Sequence, residues 1–164
     1  MPSGDIISDF FALPIKLSKE TDAFINQLKR KPPKNLDSLV QDLHETVFDE
    51  IDCLTCANCC KSISPAVTDV DIERLAKHLR RKPSDLVREY FHLDGDGDYV
   101  FRTQPCPFLM PDNYCMVYDA RPKACREYPH TDRRRFAQLL SLSRLNVSVC
   151  PAVHEIFERL RQDK

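Results

Sequence analysis

Apolar positions recur every three or four residues over several stretches of this chain, and each such stretch predicts an amphipathic helix. The clearest is "NLDSLVQDLHETVFDEI", where Leu36, Leu39, Val40, Leu43, Val47 and Ile51 build a single stripe suited to a core. "SKETDAFINQLKR" reads as a helix before it, and "KPPK" stops that helix because proline cannot continue one. "TDVDIERLAKHLRR" opens on Thr68 as a cap, with Asp69 and Asp71 suited to the positive end of the helix dipole. "KPSDLVREYF" predicts a short helix with Pro83 early and Ser84 or Asp85 as its cap. "CPAVHEIFERLRQDK" is amphipathic through Val153, Ile156, Phe157 and Leu160, with basic residues near its end.

The period changes only briefly. "DYVFRT" has the composition of a short strand, and "YCMVYD" is the partner expected for it. "DGDGD" imitates the opening of a calcium loop, but the sixth and twelfth positions counted from Asp94 are Tyr99 and Pro105, not Gly and Glu. A polar turn before a strand is the expectation there.

Charge narrows the function classes. Charged residues make up 30% of the 164, yet the formal net charge is −1, which gives no general drive toward nucleic acid or an anionic membrane. The basic runs "KRKPPK" and "RRR" read as solvated ends of elements, so no nucleic-acid partner is expected. Three glycines leave no phosphate-cradling loop. No apolar stretch approaches a membrane span, and the first twenty residues lack a signal peptide's pattern, so the expected location is cytoplasmic, with no membrane.

That location makes eight cysteines informative. Thiols stay reduced in a cytosol, so a dense cysteine pattern points to metal or catalysis ahead of a disulfide framework. Cys53, Cys56 and Cys59 follow C-x2-C-x2-C, and Cys60 is appended directly. Two-residue gaps let successive sulfurs face one centre while backbone N–H groups turn toward them. Adjacent side chains diverge, which leaves Cys60 for a second site or for reactivity. Cys106, Cys115, Cys125 and Cys150 follow at wide spacings, and Pro107 and Pro151 turn the chain away after two of them.

"CLTCANCC", "CPFL", "C-x-VY" and "RPKACREYP", in this order, resemble the CxxCxxCC cysteine-cluster family (YkgJ-like), described as chelating zinc or iron. The resemblance spans roughly residues 50 to 152 and includes "TDVDIERLAKHL". It implies metal ligation by all eight cysteines: Cys53, Cys56, Cys59, Cys60, Cys106, Cys115, Cys125 and Cys150. It also places the family's "RP" and "CR-x-YP" elements on Arg121, Pro122, Arg126, Tyr128 and Pro129. His130 departs from the family, which tends to have an apolar or aromatic residue there.

The fold class expected is therefore mainly α with a small β-hairpin, a compact cysteine-rich metal-binding domain. Residues 1–50 form an N-terminal helical segment packing on the core, and 51–164 the metal-binding domain. Structural zinc sites usually bring paired short-gap ligands, and only one short-gap cluster is present. Three thiols at two-residue gaps plus a distant Cys-Pro come closer to ferredoxin ligation, so an iron–sulfur cluster of 4Fe–4S type stands ahead of zinc. Arg121 and Arg126 are candidates to offset the charge of thiolates, and Tyr118 and Tyr128 to donate hydroxyl hydrogen bonds toward the cofactor. His44, His78 and His154 read as solvated, His92 as the end of a helix, and His130 as a candidate extra ligand.

The function expected is metal binding with a redox or electron-transfer role. Two alternatives stand beside it: a cysteine-cluster enzyme with a reactive thiol next to the metal, and a structural zinc protein acting as an adaptor for a protein partner.

Overall fold

The structure, a computed structural model, describes residues 5–163; the sequence expectations for residues 1–4 and 164 lie outside it. In chain order the helices are α1 (Ile6–Ala12), α2 (Lys19–Arg30), α3 (Leu36–Glu50), α4 (Cys53–Cys56), α5 (Asn58–Ser62), α6 (Asp69–Leu79) and α7 (Pro83–Tyr90). The strands β1 (Phe91–Leu93) and β2 (Tyr99–Phe101) follow, then α8 (Lys123–Glu127), α9 (Leu140–Asn146) and α10 (Pro151–Gln162). The mainly helical class with one small antiparallel hairpin is as expected. Two compact units make up the chain: Met1–Cys53 with Pro129–Lys164, and Leu54–Tyr128.

The first unit is built on helix stripes. Ser18 caps α2 by accepting from the Thr21 N–H, and Phe24, Ile25 and Leu28 turn inward. From α3, Val40 and Val47 meet Val153, Ile156 and Phe157 of α10 in one apolar cluster with Phe136 and Leu140. Asp37, on the polar side of the α3 stripe, accepts from the N–H groups of both Arg135 and Phe136 at 2.8 Å. That pins the bend before the 3₁₀ turn Phe136–Leu139, where Arg135 has φ +57°. The stripe of α3 thus faces its own unit's core, as the period predicted.

The histidines of this unit are less solvated than their polarity suggested. Nδ1 of His44 lies 2.7 Å from the Thr131 hydroxyl, and Thr131 is buried. His154 is half-buried beneath α1, its ring 5.4 Å from that of Phe10, and burial pushes its pKa down. Helix α1 is seven residues long and carries no long periodic run, so its pattern alone does not predict it.

The second unit uses shorter elements. β1 pairs antiparallel with β2 in the register Phe91↔Phe101, His92↔Val100 and Leu93↔Tyr99. "YCMVYD" is therefore not the partner of β2. The turn decides this: the Asp94 carboxylate accepts from the N–H groups of Asp96 and Asp98, and Gly97 takes φ +84°, which folds Phe91–Leu93 straight back onto β2. His92 accordingly lies in a strand, not at a helix end. Helix α7 begins with Pro83 as its first residue after Lys82, and neither Ser84 nor Asp85 caps it. Its core joins Leu75, Leu86, Phe91, Phe101 and Phe108, with Cys106 and Cys115 packed against it.

Candidate metal centre

Each cysteine of the second unit sits where a tight turn starts or a very short helix bends. Ala57, between α4 and α5, takes φ +50°, and this corner separates Cys56 from Cys59 and Cys60. "CPFL" closes a turn in which the Leu109 N–H donates to the Cys106 carbonyl at 3.0 Å. The N–H groups of Phe108 and Leu109 also point back at the Cys106 sulfur. "CMVY" repeats the device: the Tyr118 N–H reaches the Cys115 carbonyl at 3.2 Å, and the Val117 N–H aims at the Cys115 sulfur. Amide donors aimed at sulfur favour its ionised form, which is the form that binds metal.

Four of these thiols share one electrostatic neighbourhood. The Cys106 N–H donates to the Cys60 carbonyl at 2.8 Å, joining α5 to the "CPFL" turn. The Cys106 thiol is pushed up to about 11, chiefly by burial, with the charges of the nearby Cys60 and Cys115 contributing to that rise. Burial also raises Cys115, and it pushes Cys125 up to about 12 with Cys60, Cys106 and Cys115 adding to the effect. Cys60 moves the other way, to about 7, because the neighbouring Cys59 thiol hydrogen-bonds to it and Arg121 and Lys61 supply positive charge. Cys60, Cys106, Cys115 and Cys125 are thus one coupled set, with Cys59 touching its edge. Among the described residues, no group of three or more His, Cys, Asp or Glu side chains is placed so that it could hold a metal ion.

The other sites expected from the sequence fall as follows. Cys56 ends α4, half-buried, and its carbonyl accepts from the Lys61 ammonium. Cys53 is exposed at the start of α4 and Cys150 precedes α10; both belong to the first unit. Arg121 lies 3.6 Å over the Tyr118 ring, donates to the Tyr118 carbonyl, and lowers the pKa of Cys60 while opposing the rise at Cys115 and Cys125. Arg126 is exposed in the last turn of α8, and Tyr128 follows as its C-cap. His130, at φ +68°, lies in the first unit.

One group was missed. Asp71 is 1% exposed, yet the sequence offered it only as a favourable charge at a helix start. The signal available was "TDVD" itself: Asp71 is the third residue after the cap Thr68, the reciprocal position of a capping box, and that box is present.

Soft thiols, with amide donors on two of the sulfurs and the positive charge of Arg121 acting on three of them, are chemistry suited to zinc or iron. The chain matches a family model described as "CxxCxxCC: Putative zinc- or iron-chelating domain" over residues 52–144, more than half its length. It belongs to this family, and membership supports metal binding of the zinc or iron kind. No curated protein and no solved structure gives a significant match. No helix among the described residues is long and apolar enough to cross a membrane.

Proposed function

We propose that the chain is a metal-binding protein in which Cys60, Cys106, Cys115 and Cys125 hold one zinc or iron centre as thiolates. The observation that carries this reading is the Cys106 N–H bond to the Cys60 carbonyl at 2.8 Å, which ties α5 to the "CPFL" turn, together with the rise that the Cys60 charge adds at Cys106, Cys115 and Cys125 alike. Binding releases the protons that burial keeps on Cys106, Cys115 and Cys125, while Cys60 is the thiol nearest to ionisation at neutral pH. Phe108, Leu109 and Val117 offer their N–H groups to sulfur, and Arg121 offsets negative charge. When bound, the metal supplies cross-linking of short elements that have little helix or strand of their own. Cys59 and Cys56 adjoin this set in sequence and, with Cys53 and Cys150, complete the family's eight ligand candidates.

A 4Fe–4S cluster with an electron-transfer role is the second reading. It is favoured by the C-x2-C-x2-C run of Cys53, Cys56 and Cys59. Metal and acid-labile sulfide analysis with an absorption spectrum, on protein purified without oxygen, tests both. One tightly held zinc or iron without sulfide is the expected result. Iron with matching sulfide would install the second reading, and protein that holds neither metal would end both.

A further inference from the structure

Asp71 does more than a helix cap requires. Thr68 supplies the reciprocal cap of α6: its N–H donates to Oδ2 of Asp71 at 2.9 Å and its hydroxyl at 2.8 Å, and the Asp71 N–H returns to that hydroxyl. The second carboxylate oxygen is turned elsewhere. Oδ1 accepts the N–H of Lys123 at 3.0 Å, across fifty-two residues of chain, and a nitrogen of Arg74. The same Arg74 nitrogen donates to the Arg121 carbonyl at 2.8 Å. Asp71 and Arg74 therefore grip both ends of Arg121-Pro122-Lys123, with Pro122 buried between them.

A buried carboxylate is expensive unless several donors meet it. Here they do: burial alone would raise the Asp71 pKa, and the hydrogen bonds from Thr68, Lys123 and Arg74 reverse the sign, so it stays below its ordinary value. Lys123 is the first residue of α8, and its N–H is one of the donors a helix start leaves unsatisfied. One carboxylate thus caps two helices, α6 and the helix that carries Cys125. The clamped carbonyl belongs to Arg121, whose positive charge lowers Cys60 and opposes the rise at Cys115 and Cys125. No local need of α6 explains this second set of bonds.

We infer that Asp71 is a positioning residue of the thiol centre, fixing through Lys123 and Arg74 where Arg121 and Cys125 stand. This rests on the metal-binding reading above and deepens it. Asp71 touches no metal; it acts through the loop it holds.

The test uses the full chain, loaded with cobalt(II) without oxygen, together with the variants Asp71→Asn, Thr68→Val and Arg74→Lys. Cobalt d–d bands report ligand geometry, and chelator competition reports zinc affinity. Asp71→Asn is expected to weaken zinc binding about 10- to 100-fold and to alter the cobalt spectrum. Thr68→Val removes the hydroxyl that caps α6 and one donor to Oδ2 but leaves Oδ1 with Lys123 and Arg74, so it should lower the melting temperature and move both metal readouts less than Asp71→Asn does. Arg74→Lys keeps a charge for Asp71 but cannot hold the Arg121 carbonyl in the same way, so it should fall between the two. Parental affinity and spectrum in Asp71→Asn would overturn the inference. If that variant does not fold, parental metal readouts in Arg74→Lys would overturn it instead. Failure of the unmutated chain to take up cobalt or zinc would overturn the metal-binding reading itself, a result visible before any variant is compared.

Discussion

The two units of this chain reach order by different means. Met1–Cys53 with Pro129–Lys164 buries the stripes of helices of twelve to fifteen residues in a cluster of aliphatic side chains and phenylalanine, with Thr21, Thr131, Ser143 and Asn146 also buried in that unit. Leu54–Tyr128 has helices of four and five residues around its thiols and strands of three. It adds an aromatic cluster of Tyr90, Phe91, Phe101 and Phe108, a buried carboxylate clamp and the thiols themselves. At about 75 residues it is near the size at which a single core supplies only a few kcal/mol. A metal cross-link matters most to a unit of this kind, because closing irregular loops costs entropy that short elements do not return.

Metal removal is the largest predicted effect. Structural thiolate sites are worth about 10–16 kcal/mol in small zinc domains, so chelation should cost residues 54–128 most of their amide protection. The helices α2, α3 and α10 should keep theirs, read by hydrogen exchange with mass spectrometry. Equal loss in both units, or none, would break the contrast.

The converse perturbation is Phe157→Ala. Phe157 is fully buried in the first unit, and its truncation should cost about 3–5 kcal/mol in urea unfolding. Zinc affinity should change little, since the lost contacts lie in the apolar cluster of α3 and α10. A matching fall in affinity would show that the units do not answer separately.

Smaller still is the contrast between two arginines. Arg121→Gln should weaken zinc binding by about 10-fold, whereas Arg126→Ala, at an exposed position, should leave it near parental in a chelator competition. By sequence alone the two arginines have equal standing. A larger loss from Arg126→Ala would restore it.

The smallest effect is a pH dependence confined to α1. His154 has a folded pKa below its usual 6.5, so its stabilising contribution is complete above the unfolded value and is lost as pH falls through the folded one. Glu155 and Glu158 oppose this depression, and Lys16 adds to it. The protection factors of the α1 amides, corrected for intrinsic exchange at each pH, should fall between pH 7 and pH 5.5, and His154→Phe should flatten that response. An α1 signal independent of pH in the parent chain would remove His154 from the account.

Much of this was legible in the residues. The stripe from Leu36 to Ile51, the proline stop after α2, the cap at Thr68 and the cysteine order each reflect a local rule, so a one-dimensional reading suffices for them. Where the reading missed, the deciding contact was distant in sequence. "YCMVYD" looks as strand-like as Phe91–Leu93, and only the Asp94 turn selects between them. His154 lies between Val153 and Glu155 on an amphipathic helix, and Phe10, whose ring meets it, lies over a hundred residues away.

The centre follows the same division. The sequence by itself determined the helical class, the family and the thiol inventory, because propensity, periodicity and ligand type are properties of short segments. Tertiary structure decided which thiols share a field, which arginine's charge acts on them, and that one buried aspartate accepts from Lys123 and, through Arg74, is tied to the Arg121 carbonyl. Those outcomes depend on distance and burial, and a carboxylate written as a helix cap becomes a clamp only when the chain brings Lys123 to its second oxygen.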